Sequence, residues 1–194
     1  TKYPIKSVKF AEKGKSTLSG KKLWFDNQFG RLNTEEKGEY LGMFDPEERI
    51  LTITDDGHYE ICNQELTQRF DPEKLLLIEK FNPEKIITAI YLDNEKLQYN
   101  IKRFKIETST LNSKFLFIKE GEENRLETVT TAENPILQVH TGRGQQKTSK
   151  KYKVATLVET MGWKAVGAKL LDYSKSVEME WDEKRKPNSQ TELF

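Results

Sequence analysis

A single cysteine, Cys62, excludes an intrachain disulfide and any cysteine-based zinc site, and fits a reducing compartment. No apolar run approaches the ~18 to 20 residues of a membrane helix, and the first segment has a Lys every few residues where a signal peptide needs an apolar stretch. Neither membrane insertion nor export is therefore expected, and cytoplasm is the default location. Apolar side chains are scarce: AVILMFWYC make up 35%, and the 11 glycines bring apolar usage to about 41%, below the ~45 to 50% of an average globular chain. A thick two-layer core is not expected. Charge of one sign is lacking too, since 32 Lys and Arg face 31 Asp and Glu, so only the distribution of charge can point to a partner. Helical 3.6-residue periodicity is hard to find anywhere. An initiator Met is missing at Thr1, which reads as a fragment of something larger.

The chain has 194 residues, enough for one domain or one array of small repeats. Ten Phe, seven Tyr and three Trp can cement short strands, so the chain should fold. From Leu23 onward, short β-type runs alternate with turn chemistry at fairly even spacing. One turn signature recurs: Phe44-Asp45-Pro46-Glu47, Phe70-Asp71-Pro72-Glu73 and Phe81-Asn82-Pro83-Glu84, with Asn134-Pro135-Ile136 a degenerate fourth. Asp or Asn accepts a hydrogen bond from the backbone ahead while Pro presets φ, so each copy should mark the start of a strand.

Between these marks lie hairpins. Asp55-Asp56-Gly57 predicts a three-residue loop with Gly57 left-handed, setting Ile53 opposite Tyr59 and Leu51 opposite Ile61. A second hairpin joins Ile86–Leu92 to Leu97, Tyr99 and Ile101, and its phase slips at Lys102-Arg103, which suggests a bulge. Phe115–Ile118 with Leu126–Val129, and Ile136–Val139 with Tyr152–Val158, read as further strand pairs. Leu23–Asp26 with Phe29, Gly30 and Leu32 begins the series. About four modules result, near 18–49, 50–85, 86–131 and 132–171. A basic lead-in (1–22) precedes the folded part (23–171), and a charged tail (172–194) is expected to stay off the core.

Catalytic chemistry is not visible. Gly14-Lys15-Ser16 resembles the end of a phosphate loop, but Lys9 stands where the first glycine must be. His58 and His140 have no partner at ligand spacing and read as surface polar groups, and Cys62 reads as a small buried hydrophobe. The acidic pairs Glu35-Glu36, Glu47-Glu48, Asp55-Asp56 and Glu122-Glu123 read as solvated turns.

Charge is segregated along the chain. Residues 138–153 carry Arg143, Lys147, Lys150, Lys151 and Lys153 with no acid, whereas residues 35–60 hold nine acids against Lys37 and Arg49. With Lys21, Lys22, Arg31, Lys102, Arg103 and Lys105, these cations form the candidate phosphate-binding set, since Lys and Arg neutralise phosphates without base contacts. Ordinary solvated lysines are the competing reading.

Gly14–Asp26, Gly30-Arg31-Leu32-Asn33-Thr34, the strand Ile50–Ile61, Leu76–Lys85 and Gly162-Trp163-Lys164-Ala165-Val166-Gly167 together resemble the C-terminal domain of a bacterial topoisomerase IV A subunit, over about residues 14–171. The resemblance implies an all-β, propeller-like β-pinwheel of about four blades, open or incomplete, with strands exchanged between neighbours. It implies a non-catalytic domain that binds and bends duplex DNA along a basic rim and presents it to the strand-passing core of a nucleoid-associated enzyme. No cofactor is expected in this fragment, the family's ATP and Mg belonging to other domains or subunits. Expected partners are double-stranded DNA, the B subunit and the A-subunit dimer, with no membrane and a monomeric isolated fragment. Gyrase A subunits resemble it too but carry a Gln-Arg-Arg-Gly-Gly-Lys-Gly box that this sequence lacks, which favours topoisomerase IV and leaves full wrapping unsupported. A propeller-like protein-interaction module is the alternative.

Overall fold

The computed structural model describes residues 20–142 and 147–182. In chain order it runs β1 (Lys21–Asp26), β2 (Arg31–Asn33), β3 (Glu39–Phe44), β4 (Ile50–Thr54), β5 (His58–Cys62) and β6 (Leu75–Lys80). There follow β7 (Ile87–Asp93), β8 (Gln98–Phe104), β9 (Lys114–Leu116), β10 (Arg125–Thr130), β11 (Ile136–Thr141) and β12 (Thr148–Lys153). A single helical turn, α1 (Val154–Leu157), precedes β13 (Thr160–Met161), β14 (Ala168–Asp172) and β15 (Glu178–Trp181).

These strands make four sheets. The first is ordered β2-β1-β3, the second β6-β4-β5-β9, the third β10-β7-β8 with β13 and β14 both on β8, and the fourth β12-β11-β15. The repeated Asp/Asn-Pro turns start β4, β6, β7 and β11 as expected. In two of them the side-chain oxygen takes a backbone N–H two residues on, Glu73 N to Asp71 Oδ1 at 3.1 Å and Glu84 N to Asn82 Oδ1 at 2.9 Å. The β4–β5 hairpin has the anticipated register, Ile53 opposite Tyr59 and Leu51 opposite Ile61. Its Gly57 sits at φ +78°, and a Cβ there would lie 2.4 Å from Ile118 Cγ1, so the turn needs glycine twice over.

The first three sheets are built to one scheme. Two strands form a hairpin, a third pairs with the first of them, and the second receives a segment that comes after the following hairpin. In the second sheet β9 comes from beyond β8 to pair with β5, and in the third β13 and β14 come from beyond β12 to pair with β8. In the first sheet the loan shrinks to one bridge, Arg31 with Arg69, beside the bond from Phe70 N to Gly30 O. Strand exchange explains why the expected pair 115–118 with 126–129 does not form: β9 goes to β5 and β10 to β7.

The core is three thin seams in series. Leu23, Phe25, Leu32 and Phe44 of the first sheet meet Ile50 and Cys62 of the second. The other face of the second sheet, with Leu51, Ile53, Tyr59 and Ile61, meets Ile87, Ala89, Tyr91 and Phe104 of the third. The remaining face of the third, with Ile90, Leu92, Tyr99 and Ile101, meets Leu137 and Val139 of the fourth. Among the described residues no such cluster joins the first sheet to the fourth, so the blades form an open series. Modest apolar content suffices because each seam is one side chain deep per sheet, and each large side chain buried contributes about 1.5 to 3 kcal/mol.

Three further expectations are corrected. No bulge interrupts β8 at Lys102-Arg103: its pairing with β7 is continuous from Ile87–Phe104 to Asp93–Gln98. The apparent slip arises because β8 is buried on both faces, so polar residues and apolar ones share each side. The segment after Asp172 does not all leave the core: β15 pairs with β11, Leu137 opposite Trp181 and His140 opposite Glu178. Lys21 and Lys22 begin β1 instead of ending a loose lead-in, while residues 1–19 lie outside the described part.

Candidate nucleic-acid interface

The β11–β12 hairpin gathers the largest group of expected cations. Lys150 lies opposite Val139, Lys151 opposite Gln138 and Lys153 opposite Ile136, so alternation sends Lys150 and Tyr152 to the seam side and Lys151 and Lys153 to the outer face. The ammonium of Lys150 sits 4.8 Å from the centre of the Tyr152 ring, and Lys150, Lys151 and Lys153 are exposed. β12 is an edge strand among the described residues, and none of these covers them.

Acids from β15 and its end partly neutralise this group. Lys147 meets Glu178 at 2.7 Å, Lys151 meets Asp182 at 2.6 Å, and His140 Nε2 lies 3.1 Å from Glu180 Oε1. The hydrogen bond from Lys147 holds the Glu178 carboxyl below its ordinary range. Exposed pairs of this kind contribute only about 0 to 1 kcal/mol, so a phosphate can exchange for either carboxylate. The acids were missed in the sequence although their signal is there: Val177, Met179 and Trp181 alternate with Glu178, Glu180 and Asp182, the period of a half-buried strand.

The first sheet offers a smaller cluster. Lys22 is exposed beside Met43, Lys21 donates to Gln64 O at 3.3 Å, and the Arg31 guanidinium lies 5.4 Å from the Phe29 ring centre. Trp24 and exposed Tyr40 pack at 4.9 Å on the same face as Lys22, an aromatic neighbour the charge pattern did not reveal. Lys105 is held 2.8 Å from Glu84. Arg143 lies outside the described residues.

Lys102 and Arg103 leave the candidate set. Lys102 has no solvent exposure, and its ammonium donates to the carbonyls of Phe117 (2.6 Å), Trp163 (2.7 Å) and Ala165 (2.5 Å). Burial pulls its pKa down to about 8. Arg103, on the opposite face, is 6% exposed and donates to Val158 O at 3.3 Å. Both cations are spent inside seams, where they tie the 158–166 segment to β8. Tyr91 adds a bond from its hydroxyl to Val166 O at 2.7 Å, and Trp163 packs edge-on to Tyr59 and Phe115. Cys62 is likewise buried, and its thiol is pushed up to about 12 by desolvation, which leaves it unreactive.

Four β-sheets in open series, the first three each taking a segment lent from farther along the chain, define a β-pinwheel. The chain belongs to the family described as topoisomerase C-terminal domain, Bacteroidota, whose model matches residues 31–179. Among solved structures it is similar to a C-terminal domain of DNA topoisomerase IV, with a TM-score of 0.52 and 11% identity over 74% of this chain and 50% of that one. It is also similar to the Escherichia coli ParC C-terminal domain, at 14% identity over 87% of this chain and 83% of that one, with a TM-score of 0.46. The chain thus spans about half the length of the first of these. A comparison with curated proteins finds no match.

Proposed function

We propose that this domain is a non-catalytic, duplex DNA-binding and DNA-bending module of a topoisomerase IV A-type subunit, which presents DNA to the strand-passing core of an assembly of A-subunit dimer and B subunits. The observation that carries the reading is the exposed edge strand β12, where Lys147, Lys150, Lys151 and Lys153 stand within one strand's length and no acid lies on that strand. Lys22 and Arg31 would add a second contact on the first sheet. Phosphate contact by lysines carries little sequence preference. An open series of four blades supports a short binding arc and a modest bend, and bending a 20 to 30 bp site by 40 to 90° costs roughly 1 to 6 kcal/mol that the contacts must offset.

Fluorescence anisotropy with duplexes of unrelated sequence at low salt tests this. Comparable binding to each duplex is expected, and absence of binding to all of them would overturn it. Metal-dependent nicking by the purified chain would contradict the non-catalytic part.

A further inference from the structure

In three of the four sheets the second hairpin strand receives a lent segment: Arg69 bridges β2 at Arg31, β9 pairs with β5, and β13 and β14 pair with β8. In the fourth sheet β12 occupies the same position, and among the described residues nothing pairs with its outer edge. We infer that the free edge of β12 is an acceptor for an extended segment of a protein partner, added as a further antiparallel or parallel strand and carrying acidic residues alternating with apolar ones.

The chemistry of the edge selects that partner. An edge strand offers a row of unpaired N–H and C=O groups, and its lysines discourage pairing with neutral or basic strands. Lys153 and Lys151 lie on the outer face, Lys151 already 2.6 Å from Asp182 across the sheet, so a strand laid beside them gains from acids on that face chiefly at Lys153 and at Lys151 by exchange with Asp182. On the other face a cleft of about 390 Å³ is lined by Val139, Thr148, Lys150, Tyr152 and Leu171, and alternate apolar side chains of an added strand would enter it. The residues following Asp182 are a poor match, because Lys184, Arg185 and Lys186 outnumber Glu183 and Glu192 and like charges opposite one another destabilise a pair. Backbone pairing also separates this use of β12 from phosphate contact, which needs only the lysine side chains.

The test uses a synthetic peptide alternating Glu with Val, a second alternating Lys with Val, and a third in which alternate residues of the acidic peptide are Pro. The acidic peptide should bind the domain and slow hydrogen exchange at β12 amides, while the other two should not. Lys151→Glu with Lys153→Glu, checked for native circular dichroism, should weaken the acidic peptide about tenfold and improve the basic one. Absence of binding by the acidic peptide, equal binding of the proline-containing one, or binding without protection of β12 would each overturn the inference. Duplex binding is measured in the same samples, so a domain that binds peptide but no DNA refutes the DNA reading alone, and the converse result refutes this one alone.

Discussion

Two strands of this molecule carry nearly the same local sequence and meet opposite fates. β8 and its extension read Lys102-Arg103-Phe104-Lys105, and β12 reads Lys150-Lys151-Tyr152-Lys153; both are the second strand of a hairpin. In β8 the first two cations are buried and bonded to carbonyls, whereas in β12 they are exposed. The difference lies in the neighbours. β8 receives β13 and β14 on its outer edge and has sheets on both faces, while among the described residues nothing pairs with the outer edge of β12. A basic run therefore becomes either an internal fastener or a surface contact according to whether a lent strand covers it.

The largest effect should come from cutting the fastener. Lys102→Ala leaves three carbonyls unpartnered and a cavity in the seam, so a loss of about 3 kcal/mol or more is expected in urea unfolding, against less than about 0.5 kcal/mol for Lys150→Ala. Equal effects at the two positions would abolish the comparison.

Next in size is the covering segment itself. Gly167 lies at φ +91°, and a Cβ there would come within 2.5 Å of Ile101 O, so Gly167→Ala should cost about 2 kcal/mol. The loss should appear first as faster hydrogen exchange along the β14 edge of β8.

A smaller effect is pH-dependent. The folded-state pKa of Lys102 is about 8 against an ordinary value of 10.5, so above pH 8 the unfolded chain binds the extra proton and stability rises with pH. The rise should be visible between pH 8 and 9, by up to about 1 kcal/mol. At higher pH, ionisation in the unfolded chain of Cys62 and Tyr99, whose folded values both sit near 12, opposes it. Lys102→Met should flatten the rise in thermal unfolding followed across that interval; an equal rise in the variant would assign it elsewhere.

The smallest change is expected on the fourth sheet. Glu178→Gln frees Lys147 and should leave stability nearly unchanged while strengthening duplex binding. Weaker binding would mean that the carboxylate positions the lysine instead of competing with phosphate.

Turns and hairpins were legible in the sequence because their causes are local. Asp71 and Asn82 cap the backbone two residues ahead, and Gly57 sets the register of Ile53 with Tyr59. Partnership between distant strands was not legible. Phe115 and Val129 read as neighbours across a Gly121 turn, yet each strand follows its own partner into a different sheet. The same limit governed the candidate site. Charge along 138–153 located the β12 group, but nothing local distinguishes Lys102 from Lys150, because the carbonyls of Trp163 and Ala165 that hold Lys102 lie some sixty residues away.

The central claim, that covering decides which lysines reach DNA, is tested most directly by the salt dependence of duplex binding. Changing Lys147, Lys150, Lys151 and Lys153 together to Gln should reduce the slope of log affinity against log salt by about 0.9 for each phosphate that is no longer neutralised, while Lys102→Met, at a covered lysine, leaves it nearly unchanged. An unaltered slope in the β12 variant would contradict the account.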